Sequence, residues 1–308
     1  MKSLTSHSLK ITGIISLVFI IFSCSAQNNE NLKYLGQKPP TIKPELFAPD
    51  IISKKNESLF GSVFNNDGTE FYYGVDFDGK SEIWFTKLEN KEWTMPEILL
   101  SHNQYSTNDP FLSNDEKRLY FISNKANLSD KISNNYNIWY IKRDRKDWNL
   151  EMFKVDTTVN SDKNEYYMSF TLDGSMYFSS NVDALSDSQH NFNIFKSKLI
   201  NGAFQKAIPM DKSINTKSYE ADVFIAPDES YIIFCSIRKE GYGQGDLYIS
   251  FKNDDGNWTK AKNMGEIINT EGHELCPFVT KDGKYFFYTS NKKIYWVDAK
   301  IIDSLKTK

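Results

Sequence analysis

The sequence predicts an all-β protein, a five-bladed β-propeller whose blades are four-stranded antiparallel sheets. The first observation is a pattern that occurs five times. A strand runs to a turn acid, and a second strand rich in Tyr and Phe follows. The copies are Phe60 to Tyr73, Pro110 to Ser123, Ser169 to Ser180, Val223 to Ser236 and Phe278 to Ser290. Their turn acids, Asp67, Asp115, Asp173, Asp228 and Asp282, are spaced 48, 58, 55 and 54 residues apart. The second observation is a third strand with an aromatic near its start, followed by another aromatic at nearly fixed distance. Trp84 to Trp93, Trp139 to Trp148 and Phe195 to Phe204 are 9 apart, and Tyr248 to Trp258 is 10. These mark a fourth element in each of four blades. The third observation is that the last repeat lacks it, because nine residues past Tyr295 stands Ser304 and the chain stops at Lys308.

An open sheet edge is prone to pair with other chains, so the missing strand must come from elsewhere. Pro44 to Ile52 fits, since Phe47 precedes Asp67 by 20 and the other outer aromatics precede the next turn acid by 22 to 25. Residues 44–52 are therefore expected to pair with 293–302 and close the ring. A six-bladed ring, the alternative, would need a sixth repeat within residues 25–56, which carry no turn acid followed by an aromatic strand.

The first 23 residues read as a targeting segment. Lys2 and Lys10 precede the apolar run Ile11 to Phe22, which is too short for a finished membrane span and suits a signal peptide. Ile21-Phe-Ser-Cys24 resembles a bacterial lipobox, which implies cleavage before Cys24 and lipidation of its thiol; a signal peptide cut near Ala26 is the alternative. The expected division is a signal peptide over 1–23, a polar lipid-anchored tether over 24–43 and the propeller over 44–308. This places the protein in the bacterial cell envelope, on the periplasmic side or at the outer membrane, held to the membrane by lipid alone.

Charge excludes one class of partner. Removing residues 1–23 leaves 35 basic against 40 acidic residues, with no basic stripe, so nucleic acid is not expected. Cys235 and Cys276 fall in different repeats. They read as two small buried apolar side chains, with a disulfide as the alternative.

At this point a family resemblance is carried by particular residues. Leu172-Asp-Gly-Ser-Met-Tyr-Phe-Ser-Ser180 followed by Asn193-Ile-Phe195, and Ala226-Pro-Asp228 with Ser236-Ile-Arg238 and Gly245-Asp-Leu-Tyr248, resemble the WD40-like propeller repeat of the TolB type. The resemblance spans about residues 44–300. It implies a propeller that binds partners in the envelope, of which many bacterial lipoproteins are members. The chain departs from the pattern where Asp115-Glu116 and Asp228-Glu229 replace Asp-Gly, and an Arg after the second strand occurs only at Arg238.

Chemistry is sparse. Asn160, Asn215 and Asn269 each precede a Glu by five, at Glu165, Glu220 and Glu274, and each Glu lies eight before its turn acid. These carboxylates are expected near the channel rim, with Asp109, Asp222, His273, Glu57 and Arg238 as neighbours. One reading is a site for a cation, sugar or basic peptide. Another is a carbohydrate-active enzyme with rim carboxylates, as in five-bladed glycosidases. A third is structural, with Glu and Asn satisfying backbone groups where pairing stops. Repetition at equivalent positions favours the third, since catalysis needs different residues in different roles. Asp76-Phe-Asp-Gly79 reads as a turn rather than a calcium loop. No Gly-x-Ser-x-Gly, His-Glu-x-x-His, P-loop or dinucleotide fingerprint is present. The expectation is a non-enzymatic binding module with no metal or cofactor, whose partner is an envelope protein, glycan or peptide.

Overall fold

The computed structural model describes residues 30–53, 57–126, 132–183 and 191–306. Cys24 and the signal segment lie outside them. Five sheets form five blades around one axis. From the innermost strand outward, blade 1 is Ser58–Phe64, Glu70–Phe77, Lys80–Glu89 and Glu97–Leu100. Blade 2 is Thr107–Leu112, Arg118–Lys125, Ile132–Asp144 and Asp147–Lys154. Blade 3 is Glu165–Phe170, Met176–Ser180, Asn193–Ser197 and Ile208–Pro209. Blade 4 is Tyr219–Ile225, Tyr231–Ile237, Asp246–Phe251 and Lys262–Asn263. Blade 5 is Glu274–Val279, Tyr285–Ser290, Lys293–Asp298 and, from the other end of the chain, Glu45–Leu46. Each innermost strand touches the next, and blade 5 touches blade 1, so the ring is closed.

The turn acids hold the inner hairpins as the sequence suggests. Asp115, Asp173, Asp228 and Asp282 each accept the backbone N–H two residues on, at 2.9 to 3.1 Å. The next residue takes a positive φ: 68°, 81° and 69° at Gly68, Gly174 and Gly283. Glu116 and Glu229 adopt the same conformation, at 56° and 58°. That region is costly for a residue with a Cβ. Both side chains offset the cost by bonding to the preceding blade. Glu116 accepts from the Asn66 N–H of blade 1. Glu229 accepts from Tyr177 and Lys196 of blade 3 and from Lys252 of its own blade.

The N-terminal strand closes blade 5. Glu45 pairs with Trp296 and Leu46 with Tyr295, and the Phe47 N–H continues to Ile294 O at 2.9 Å. Pairing is shorter than expected because the backbone turns at Ala48, whose O receives the N–H groups of Ile51, Ile52 and Ser53. The partner strand likewise ends at Asp298, and Lys300–Leu305 is a short helix that buries Ile301 and Ile302. Phe47 is wholly buried. Its ring lies 5.0 to 5.8 Å from those of Phe64 and Phe71 in blade 1 and Phe287 and Trp296 in blade 5. One aromatic thus fills the seam where the chain's two ends meet.

Two further expectations shift. Trp93, Phe204 and Trp258 sit in short hairpin pairings that precede the outer strands; in blade 2 the outer strand itself contains Trp148. The segment expected as a tether packs on the propeller over its described part. Tyr34 is buried, its N–H reaches Gly68 O at 3.0 Å and its hydroxyl reaches Asp282 at 3.1 Å. Trp93 Nε1 donates to Leu32 O at 2.7 Å. Among the described residues no helix is long and apolar enough to cross a membrane.

Phe47→Ala should cost about 3–5 kcal/mol in denaturant unfolding, the range for deleting a buried Phe, because the cavity opens at the closure. Glu229 gives a pH test. Burial raises its pKa, but hydrogen bonds from Lys196, Lys252 and Tyr177 outweigh burial and bring it down to about 2. A depressed carboxylate stabilises above its unfolded value, here 4.5, and that contribution fades as pH falls towards about 2. Glu229→Gln should therefore lower the melting temperature at pH 7 and make the acid limb between pH 4.5 and 2 shallower.

Candidate functional site

A β-bulge interrupts each innermost strand at the same repeat position. The residue there, six before the turn acid, is Gly61, Asp109, Tyr167, Asp222 or Cys276. The four with side chains have φ of 53°, 29°, 51° and 53°. A bulge re-aims a side chain, and these bulges turn their residues towards the axis. The ligand atoms of Asp109, Asp222 and Cys276, from blades 2, 4 and 5, all lie within 4.8 Å of one another. Cys276 Sγ is 3.8 Å from Asp109 Oδ1. Tyr167 of blade 3 crosses the axis and donates to Pro277 O of blade 5 at 2.9 Å.

Blade 1 contributes glycine because no other side chain fits. A Cβ on Gly61 would stand 2.8 Å from Asp109 Cα and 3.2 Å from the Tyr167 ring. Two residues further along, Phe111, Phe224 and Phe278 meet, with ring centroids 5.9 and 6.2 Å apart. These rings close the channel on the side of the hairpin turns.

This layer is buried, and no basic side chain among the described residues acts on its aspartates. Burial pushes Asp109 up to about 7, with hydrogen bonding from Cys276 and the Gly61 backbone pulling the other way. Burial and the neighbouring Asp109 push Asp222 up to about 8. Burial also raises the Cys276 thiol far above its ordinary value.

Burial also pushes Glu165 up to about 7 and raises Glu220, but the three glutamates are bonded within their own blades. Glu165, Glu220 and Glu274 are completely buried, and each binds its own linker and its own second strand. Glu220 accepts from Thr216 N and Oγ1, Ser236 Oγ and Arg238. Glu274 accepts from Thr270 N and Oγ1 and from Ser290 Oγ. Glu165 accepts from Ser161 and Ser180. The preceding asparagines clamp the third strand of the blade before. Asn160 bonds Ile138 N and O, Asn215 bonds Ile194 N and O, and Asn269 bonds Leu247 N and O, all at 2.8 to 3.0 Å. The motif thus joins consecutive blades.

Arg238 pairs with Glu220 at 3.4 Å and lies 4.3 Å over the Tyr248 ring. His273 Nε2 is 3.4 Å from Cys235 Sγ, and burial lowers its pKa. Glu57 receives Lys293 Nζ on its backbone carbonyl at 2.8 Å. Both Cys235 and Cys276 are free thiols, so no disulfide joins them. Of the sequence-derived candidates, the structure brings Asp109 and Asp222 together at the axis and pairs Arg238 with Glu220. Cys276 and Tyr167 were missed, although their constant offset of six from the turn acid is visible in the sequence.

On the opposite face, where the innermost strands begin, aromatic rings form an arc. Tyr136 contacts Tyr166 at 5.7 Å, Tyr166 stacks on Phe192 at 4.8 Å, and Phe192 meets Tyr219 at 5.6 Å. The arc spans blades 2 to 4, and its three tyrosines are half-buried.

No family model matches this sequence, and no curated protein matches it. Solved structures resemble it in fold. TolB from Acinetobacter baumannii is 14% identical, with TM-score 0.47 over 78% of this chain and 54% of that one. The chain therefore spans about half the length of that protein. A Dyadobacter fermentans protein of unknown function is 13% identical, with TM-score 0.49 over 85% and 84%. A prolyl endopeptidase is 13% identical, with TM-score 0.40 over 79% and 34%. Descriptions this different at such low identity assign no activity.

Gly61→Ala should cost about 1–3 kcal/mol, since the methyl meets backbone rather than a flexible side-chain end. Glu274→Gln should cost about 1–3 kcal/mol, because its amide turns a donor towards the Thr270 N–H or the hydroxyls. Thermal and urea unfolding of each variant measure both.

Proposed function

We propose that this protein is a non-enzymatic binding module of the bacterial cell envelope, recognising a protein or polymer partner through the face where the innermost strands begin. The observation that carries this reading is the aromatic arc of Tyr136, Tyr166, Phe192 and Tyr219. Half-buried tyrosines give large contact area at low entropic cost and are enriched at interfaces. The inner glutamates support it indirectly. Their hydrogen bonds hold the linkers and leave the rings as the distinctive chemistry of that face. The N-terminal reading, with Cys24 as a lipidated residue, supports an envelope location and anchoring by lipid.

The glycosidase alternative calls for rim carboxylates on either side of a sugar. Against it, Glu165, Glu220 and Glu274 are fully buried and bonded to their own linkers, and Asp109 and Asp222 share one buried layer with their ligand atoms within 4.8 Å.

The test is a quantitative pull-down from detergent-solubilised envelope. The double variant Tyr166→Ala and Tyr219→Ala should lose a wild-type partner by about tenfold or more, the usual scale for hot-spot truncation. Lys281→Ala, on the turn face, should retain it. Equal retention by all three would overturn the assignment of this face. Release of sugar from envelope glycan, abolished by Asp222→Asn, would establish the enzyme alternative instead.

A further inference from the structure

We infer that the axial layer is a binding site for one thiophilic divalent cation of the zinc type, held by Asp109, Asp222 and Cys276. The inference goes beyond partner binding and departs from the sequence-based expectation of no metal. Three ligand atoms from three blades converge within 4.8 Å. In a tetrahedral zinc site, bond lengths of about 2.3 Å to sulfur and 2.0 Å to oxygen place those atoms about 3.5 Å apart. Cys276 Sγ and Asp109 Oδ1, at 3.8 Å, are within a small adjustment of that spacing.

A separate observation points to a ligand. Asp222 is only 8% exposed, and its carboxylate receives no hydrogen bond from the described residues. Buried carboxylates are ordinarily bonded or paired. No basic side chain among the described residues acts on either aspartate; the charge nearest to Asp222 is Asp109. A cation between them would supply the missing partner and offset their repulsion.

The donor set selects the ion. Calcium and magnesium take oxygen ligands and larger coordination numbers, whereas a thiolate favours zinc. Binding would release to solvent the Cys276 proton and the protons held by the two aspartates, as the sulfur–zinc bond forms and the aspartates bind as carboxylates. Phe111, Phe224 and Phe278 close the turn side, so the ion would enter from the face of the aromatic arc. Cys276 sits at an axial bulge whose four counterparts are two aspartates, a tyrosine and a glycine, and this gives its thiol the contact with Asp109 that Cys235 lacks.

The experiment uses the purified chain, stripped with chelator and titrated with Zn2+ and separately with Co2+. We expect one zinc per chain, a rise in melting temperature on loading, and a thiolate-to-cobalt charge-transfer band in the near ultraviolet. Asp222→Asn should weaken zinc by about tenfold or more while leaving the stripped protein folded, since it takes away a ligand oxygen of similar shape and no hydrogen bond among the described residues. Cys276→Ser should abolish the cobalt band, and Cys235→Ser should keep it. The absence of stoichiometric zinc, or zinc bound by Asp222→Asn and Cys276→Ser as tightly as by the wild type, overturns the inference. A cobalt band lost in Cys235→Ser but kept in Cys276→Ser overturns it too. Because partner capture is measured separately, failure here is distinguishable from failure of the binding reading.

Discussion

Crowding at the axis constrains everything else in this ring. Five innermost strands converge, and each must bring one residue to the centre at the same height. The shared bulge makes that possible by turning Asp109, Tyr167, Asp222 and Cys276 inward at a positive φ. Space is then allocated unequally. Tyr167 occupies the centre and reaches Pro277, so Gly61 must surrender its side chain. The remaining three positions hold small polar groups that cannot avoid one another. Two positions further along, Phe111, Phe224 and Phe278 instead pack ring against ring. The contrast between adjacent layers sets the polar one apart.

The repeats share a division of labour that protects this arrangement. Each Asn of the linker satisfies the edge of the blade just finished, and each Glu satisfies the entry to the next. Blades 1 and 2 have no such pair. In blade 1 Leu59 stands at the Glu position. In blade 2 Thr107 stands where blades 3 to 5 have Glu and bonds Leu100 O, and His102 stands where they have Asn and stacks on Tyr105 at 4.2 Å. The linker therefore tolerates different chemistry provided that the backbone groups are answered.

Much of the architecture was legible because it repeats. Turn acids, aromatic second strands and a missing fourth strand identified five blades and assigned the closing role to residues near Phe47. The details that escaped are those in which a residue's partner is distant in sequence. Glu116 and Glu229 read as departures from Asp-Gly, yet each is a strained residue bonded to a neighbouring blade. Tyr34 reads as part of a polar tether, since nothing local reveals Asp282 or Gly68 as partners. Cys276 reads as a small apolar side chain, because a bulge that re-aims it leaves no trace in alternation. The acidic rim was half legible. Asp109 and Asp222 do meet, while Glu165, Glu220 and Glu274 serve as fasteners.

The closing strand has a consequence for how the ring is reached. Leu46 and Tyr295 are neighbours in the sheet but roughly 250 residues apart along the chain. Joining such distant points in a flexible polymer costs about 5 kcal/mol of loop entropy. Two paired residues and one buried aromatic would meet that cost poorly if they had to act first. Once the intervening blades have formed, the two ends are already held close, and the same few contacts suffice. Without the last strands of blade 5, Phe47 has only the half of its pocket that blade 1 supplies.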